Sequence, residues 1–156
     1  GLGDVYKRQD MLWTEENFLK MNNLKFRAWD KANKEMLKID VIDFFLKGIR
    51  VLERNGNSFF MKFSDVELMQ STGYHDKNGV EIFEGDIINS GYPFKGSPFE
   101  EEDEYEEEKG VVTFFNCGFN IEFKNHINLF IDIILSCEDL EVIGNIYENK
   151  ELLRKW

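Results

Sequence analysis

The chain has 156 residues, of which 42% are hydrophobic, with 15 phenylalanines and a net charge of −11. This much apolar surface supports a folded core and excludes a wholly disordered chain. No apolar run approaches the roughly 20 residues that cross a bilayer, and the N-terminus lacks a secretory signal pattern. Cys117 and Cys137 are too few for a disulfide framework. We therefore expect a soluble protein of the cytoplasm without a membrane partner.

Charge is unevenly distributed along the chain. Residues 21–63 carry nine basic and five acidic side chains, a net charge of +4, whereas residues 64–156 carry seven basic and 21 acidic side chains. Eight of those acids form one run: Glu100, Glu101, Glu102, Asp103, Glu104, Glu106, Glu107 and Glu108. Net charge is an average over the chain, so overall acidity does not exclude an anionic partner for the basic half.

Residues 1–20 differ in character from the rest of the chain. They have no clear apolar periodicity, and Met11 and Met21 both offer a later start. The opening letters GLGDVYKRQ resemble translated adapter sequence found at the ends of assembled genes. We therefore treat residues 1–20 as a leader outside the domain. The alternative is a short native helix through Trp13 to Leu19.

The region 21–66 predicts a β meander. Leu24, Phe26 and Ala28 alternate with basic residues, the period of a strand with one face in the core and one in water. The Asn-Gly pair at 55–56 favours a tight hairpin, because both residue types accept positive φ. Further strands are expected at 36–42, 49–51 and 58–63.

The region 67–156 predicts more strands around one long loop. Between 90 and 109, both prolines remove ladder donors and the acids repel one another, so we predict a mobile acidic loop. Phe119, Ile121 and Phe123 alternate with polar residues and are predicted to face the core. Asn125 is placed to cap a helix with apolar residues at helical spacing. The remaining expected elements are strands at 80–83, 87–89, 111–115 and 140–143, turns at 76–79 and 116–118, and a short terminal helix at 148–155.

Four motifs occur in order along the chain. They are LKFRAWD at 24–30 followed by Met36, LMQSTG at 68–73, DKNGVEIFEGDI at 76–87 and LEVIGNIYEN at 140–149. Over residues 21–153 the chain thereby resembles the YopX family of phage and prophage proteins. The resemblance implies a mostly β fold whose C-terminal part, over 67–156, is a small SH3-like barrel. With the β meander over 21–66 and the helix after Asn125, the expected fold class is mostly β with one short α-helix (β or α+β). The resemblance implies no established activity. The leader and the acidic loop depart from the family pattern.

The candidate chemical motifs fail on spacing. The oxygen-bearing residues Asp76, Asn78, Glu81, Glu84 and Asp86 lack the ligand order and the glycine position of a calcium loop, so a turn before a strand is the better interpretation. Neither histidine lies in a nucleophile motif, and the two cysteines lack zinc-site spacing. We predict no catalytic residue, no metal, no cofactor and no enzymatic activity.

The predicted function is therefore binding. Small β barrels present loops and aromatic faces to partners without chemistry, so we predict an accessory protein of a phage or prophage that binds a phage or host protein in the bacterial cytoplasm. The alternative is nucleic-acid binding by a positive stripe of Lys25, Arg27, Arg50 and Arg54. In that alternative, the acidic loop lies across the stripe and regulates access to it. The sequence leaves the oligomeric state open.

Overall fold

The computed structural model describes residues 24–53, 56–90, 108–130, 133 and 139–153. These ranges are mostly β, as predicted, and form two antiparallel sheets. The strands of the first sheet are β1 (Phe26–Asp30), β2 (Glu35–Asp43), β3 (Gly48–Leu52), β4 (Ser58–Lys62), β5 (Val66–His75) and β6 (Glu81–Phe83). The strands of the second sheet are β7 (Asp86–Ser90), β8 (Glu108–Phe115), β9 (Gly118–Phe123), β10 (Ile127–Leu129) and β11 (Glu141–Asn145).

The first five strands of each sheet are arranged in the same order, and the first sheet has one further strand, β6. The first has the order β4-β3-β2-β1-β5-β6 and the second β10-β9-β8-β7-β11. In each, four strands form an antiparallel meander and a fifth returns to pair with the first, through a 3₁₀ turn at Phe63–Asp65 in the first sheet. Among the described strands, β4 does not bond to β5 and β10 does not bond to β11. The small closed barrel implied by the resemblance is therefore not formed by these residues.

The described residues form two apolar clusters, and the second includes Ile82 from β6 of the first sheet. The first cluster contains Ala28, Leu37, Ile49, Val51 and Val66. The second contains Ile82, Ile88, Val112, Ile121, Phe123, Phe130, Ile133 and Leu140. The inward orientation predicted for strand β9 is confirmed, because Ile121 and Phe123 are buried and Phe119 packs against the second cluster.

Asn120, a residue predicted to face water, is buried instead. Its Nδ2 donates to the carbonyl oxygens of Phe115 and Gly118 at 3.2 and 3.0 Å. These bonds stabilise the turn between β8 and β9, where Asn116 and Cys117 both have positive φ. The hairpin predicted at 116–118 is confirmed, and its stabilising side chain lies in the strand that follows it.

The helix predicted from Asn125 is wrong at its start. Ile127–Leu129 instead form β10, which pairs with β9. These residues fit an alternating pattern as well as a helical one, and the hydrogen bonds offered by β9 decide between the two. Phe130 and Ile133 have helical backbone and are buried. Residues 131–132 and 134–138 of the predicted helix lie outside the described ranges.

The predicted loop 90–109 is shorter at both ends than expected. Ser90 ends β7 and Glu108 begins β8, where the two residues are paired. The Ser90 hydroxyl also donates to the Glu108 carbonyl at 3.2 Å. Glu108 is therefore a strand residue, while residues 91–107 lie outside the described ranges. Near the C-terminus, a 3₁₀ turn over Lys150–Leu153 lies where the terminal helix was predicted.

Asp76 links the two sheets. Its Oδ1 accepts from the backbone N–H groups of Asn78 and Val80 at 2.8 and 2.9 Å, and its Oδ2 accepts from Val142 on β11 at 3.0 Å. Gly79 completes the turn with a φ of 79°, which a residue with a side chain rarely adopts. Burial by itself raises the pKa of Asp76, but the three backbone donors outweigh burial and hold this pKa below its usual value.

We expect Asp76→Ala to lower the free energy of unfolding by about 1 to 3 kcal/mol at neutral pH, because it leaves buried N–H donors unpaired. A lowered folded pKa means that the contribution of ionised Asp76 is present above the unfolded value of 3.8 and is lost as pH falls through the folded pKa. The difference in free energy of unfolding between wild type and variant, measured with urea, should therefore decrease as pH falls from about 5 to about 3. A difference that stays constant would contradict this role.

Candidate functional site

An open groove of about 840 Å³ runs beside the start of β1 and the second half of β2. Its apolar walls are formed by Leu24, Phe26, Ile39, Ile42, Phe44 and Phe83. Its charged lining consists of Lys25, Arg27, Lys38, Asp40 and Glu81. Apolar walls with a few polar groups, in a groove of this size, are typical of binding sites.

The groove lies where β1 stops accompanying β2. The last residue pair between these strands joins Arg27 to Lys38. Beyond that pair, residues 39–43 of β2 are bonded to β3 on one side. No described strand pairs with them on the other side. This stretch of β2 is therefore an edge, and it borders the groove.

The direction of the main-chain groups along β3 shows which parts of β2 face the groove. The Phe63 N–H donates to the Lys47 carbonyl at 3.0 Å, and the direction of bonding alternates from residue to residue in an antiparallel strand. Gly48 and Arg50 therefore bond to β2, at Asp43 and Val41. The N–H and C=O of Ile42, which lies between these two, consequently point toward the groove.

A β-bulge at Asp40 shapes the apolar wall. The register between β2 and β3 shifts between Ile39 and Val41, so Asp40 is an extra residue in β2. Because of this extra residue, Ile39 and Ile42 lie three positions apart and still pack against the same apolar cluster. The bulge thus brings two isoleucines to one wall of the groove.

The hairpin turn between β2 and β3 carries three exposed apolar residues. Phe44, Phe45 and Leu46 are 79%, 93% and 57% exposed. The turn itself is ordered, because the Leu46 N–H donates to Asp43 Oδ1 at 2.8 Å and the Phe44 ring lies 6.1 Å from the Phe63 ring. Contiguous exposed apolar surface is typical of interaction sites. We call Phe44–Leu46 the hairpin tip; it continues the apolar wall of the groove.

The charged side of the groove contains one internal ion pair. Lys25 Nζ lies 3.2 Å from Glu81 Oε2, and Ser71 Oγ donates to Glu81 Oε1 at 2.7 Å. Burial raises the pKa of Glu81, but the hydrogen bonds from Ser71 and Lys25 outweigh burial and lower this pKa overall. Lys38 has no ion pair within the described residues, so its charge remains available to a ligand.

Arg27 crosses from the groove to the second sheet. Its guanidinium bonds to Asp86 at the start of β7, and it lies over the Phe83 ring at 4.7 Å from the ring centre. The Asp86 carboxylate also accepts from the Phe83 N–H at 2.8 Å. Burial raises the pKa of Asp86, although Arg27 and this N–H oppose the shift. The pair joins the sheets, and Trp29 stacked on Tyr147 at 5.4 Å reinforces the same junction.

The four cations of the predicted stripe have different surroundings. Arg27 and Lys25 are held in ion pairs within the protein. Arg50 lies on β3 between Val41 and Phe60 and is exposed. Arg54 lies outside the described residues, as do residues 100–107 of the acidic run. Two of the three described members are therefore engaged in ion pairs within the protein, and nucleic-acid binding stays a prediction.

Sequence reasoning missed the hairpin tip and the buried side of Arg27. The tip has a visible signal, since three apolar residues stand between two strands where polar turn residues are expected. Arg27 has none, because its partner Asp86 is 59 residues away in the chain. The described residues contain no cluster of three potential metal ligands. Within the same ranges, no helix is long and apolar enough to span a membrane.

Comparison with known proteins places this fold. The crystal structure of protein EF1440 from Enterococcus faecalis is similar, with a TM-score of 0.56 and 33% sequence identity over 84% of this chain and 98% of that chain. No curated protein matches the sequence. The profile of the YopX protein family matches residues 25–154. The chain therefore belongs to the YopX family.

Proposed function

We propose that the protein is a binding module whose groove accepts an extended, apolar segment of a partner protein. One observation carries the proposal: residues 39–43 of β2 have an apolar groove on the side where no described strand pairs with them. An extended segment placed there bonds to the main chain of β2 and lays alternate side chains against the apolar wall. Strand addition of this kind takes affinity from main-chain bonds and specificity from side-chain pockets.

The lining also indicates the chemistry of the segment. Side chains that face the wall meet Phe26, Ile39 and Ile42 and should be aliphatic or aromatic. At the far end, the hairpin tip offers Phe44 as an aromatic anchor. Lys38 lies in the lining with its charge unpaired among the described residues, so an acidic residue at one end of the segment complements it.

The proposed function is binding without catalysis. The charged groups of the groove are two lysines, an arginine and two carboxylates, of which Lys25 is paired with Glu81 and Arg27 with Asp86. Specific binding of a phage or host protein is the function that the groove supports best. In this role the protein is an accessory factor that recruits or blocks its partner.

Selection from a library of random displayed peptides, with the full chain as bait, tests the proposal. Apolar peptides carrying an acidic residue are the expected products, and fluorescence anisotropy then measures their affinity. We expect Phe44→Ser to weaken binding at least about tenfold, because it removes an aromatic anchor. The matched control is Phe115→Ser, which changes a half-exposed phenylalanine beside the turn of another hairpin, between β8 and β9. It should leave binding unchanged.

Two further measurements separate this mode of binding from others. Proline at alternate positions of a selected peptide should abolish binding, because proline cannot donate to a β ladder. Affinity should change little with salt, whereas phosphate contacts to random duplex DNA weaken steeply as salt rises. Equal losses for Phe44→Ser and Phe115→Ser would contradict the groove, and steep salt dependence with DNA would favour nucleic-acid binding.

A further inference from the structure

Strand β4 is an edge of the first sheet among the described strands. In the part of the chain that the structure describes, it has β3 on one side and no strand on the other. Edge strands are commonly protected by proline, bulges or inward charges. β4 has no proline, pairs with β3 without a register shift, and contains only one charged residue, Lys62. Phe59 and Phe60 on this strand are 38% and 46% exposed.

The main-chain groups that β4 directs outward can be identified from its bonds to β3. The Glu53 N–H donates to the Asn57 carbonyl at 2.8 Å, and the Phe63 N–H donates to the Lys47 carbonyl at 3.0 Å. Between these two bonded pairs the direction alternates, so Phe59 and Met61 also bond to β3. The N–H and C=O groups of the other three residues therefore point to the free side: Ser58, Phe60 and Lys62.

These three residues are arranged symmetrically about Phe60. We propose that β4 pairs with β4 of a second copy of the chain, antiparallel, about a two-fold axis at Phe60. Phe60 then bonds to Phe60 of the second copy, and Ser58 bonds to Lys62 of the second copy on either side. This register uses every outward main-chain group of the strand. Such an interface is isologous, as in most protein dimers.

Side chains and charges both favour a second copy in this direction. On the core face, Phe59 comes to lie opposite Met61 of the second copy, which continues the apolar surface of the sheet. On the other face, the two Phe60 backbones are adjacent across the axis, while each Phe60 ring leans over Gly48 of its own β3. The antiparallel direction also keeps Lys62 opposite Ser58 of the second copy, whereas a parallel arrangement in register would oppose Lys62 to Lys62. The dimer is independent of the proposed groove, because β3 lies between β4 and β2.

Charge exchange at position 60 tests the two-fold axis directly. Sedimentation of the full chain from about 5 to 500 µM should show a reversible monomer–dimer equilibrium, since a small interface associates weakly. Phe60→Lys alone and Phe60→Glu alone should each weaken dimerisation at least about tenfold, because like charges then face each other across the axis. An equimolar mixture of the two variants should restore dimers, because opposite charges now meet.

A second pair of variants tests the main-chain bonds. Ser58→Pro removes an outward donor without touching the bonds to β3 and should weaken dimerisation, whereas Ser58→Ala keeps that donor and should not. Thermal unfolding of each variant monitors folding. The proposal is overturned if wild type stays monomeric over the whole range, if both charged variants still dimerise alone, or if their mixture remains monomeric while wild type dimerises.

Discussion

Arg27→Met should lower the free energy of unfolding by about 3 to 5 kcal/mol at pH 7, the usual cost of removing one partner of a buried ion pair. Asp86 is 1% exposed, and Arg27 provides its opposite charge. Methionine has a similar length and no charge, so the variant leaves the carboxylate of Asp86 buried and without a cation. It also removes the contact between the guanidinium and the Phe83 ring.

The loss should depend on pH in a defined direction. Burial already raises the pKa of Asp86, and Arg27→Met removes the cation that opposes this shift, so the pKa rises further. A raised folded pKa means that the folded state holds its proton more tightly than the unfolded state, whose value is near 3.8. The cost of the buried charge is therefore full above the folded pKa and is relieved as pH falls through it.

Urea unfolding at pH 7 and at about pH 5 measures the loss in free energy of unfolding and its pH dependence. The difference between wild type and variant should be smaller at the lower pH. Lys31→Met is the matched control, because Lys31 pairs with Glu67 at 2.8 Å while both side chains are more than 40% exposed. An exposed pair of this kind contributes about 0 to 1 kcal/mol. If the two variants lose equal stability, or if the difference for Arg27→Met is independent of pH, the buried pair does not have the role assigned to it.

The parts of the fold that were predictable depend on local patterns. The alternation of Phe119, Ile121 and Phe123 identified the core face of β9, because one face of that strand meets the apolar cluster and the period of two is strict. The turns at 76–79 and 116–118 were likewise predictable, since Gly79 and Asn116 tolerate the positive φ that the structure shows. Cys117 also has a positive φ, which its residue type does not favour.

The parts that were not predictable depend on contacts between distant residues. Alternation placed Arg27 on the face opposite Ala28, which is correct, but that face meets the second sheet instead of water. Asn120 is buried because its side chain donates hydrogen bonds to the carbonyl oxygens of Phe115 and Gly118 in the preceding turn. Ile127 fits two periods at once, and only the position of β9 selects the strand.

The candidate site also combines features that a local pattern predicts with features that depend on distant residues. Its apolar residues are visible in the sequence, but a groove requires that β1 end its pairing with β2 at Arg27 while β2 continues to Asp43. Strand length and register of this kind arise from the whole sheet and not from one segment. The bulge at Asp40, which brings Ile39 and Ile42 to one wall, has no signal in the sequence either.

The second large loss of stability is expected for a substitution in the second apolar cluster. Ile121 is fully buried in the second cluster, so Ile121→Ala should lower the free energy of unfolding by about 2 to 5 kcal/mol through lost burial and the cavity left behind. Gly110 on the neighbouring strand β8 faces this side chain. A Cβ at position 110 would collide with Cγ2 of Ile121 and lie 3.0 Å from the Phe123 ring.

The close approach of Gly110 to Ile121 predicts that substitutions at these positions compensate each other. Gly110→Ala alone should cost about 1 to 3 kcal/mol, because the added methyl overpacks the core. Ile121→Ala removes the methyl group that a Cβ at position 110 would collide with, and the new Cβ partly fills the cavity. The double variant should therefore lose at least about 1 kcal/mol less free energy of unfolding than the two single variants lose together. Gly118→Ala is the control on the same hairpin, since a Cβ there meets nothing within 4 Å, and it should be nearly neutral. Urea unfolding of all four variants measures the cycle, and strictly additive losses would show that Gly110 is not required by the packing of Ile121.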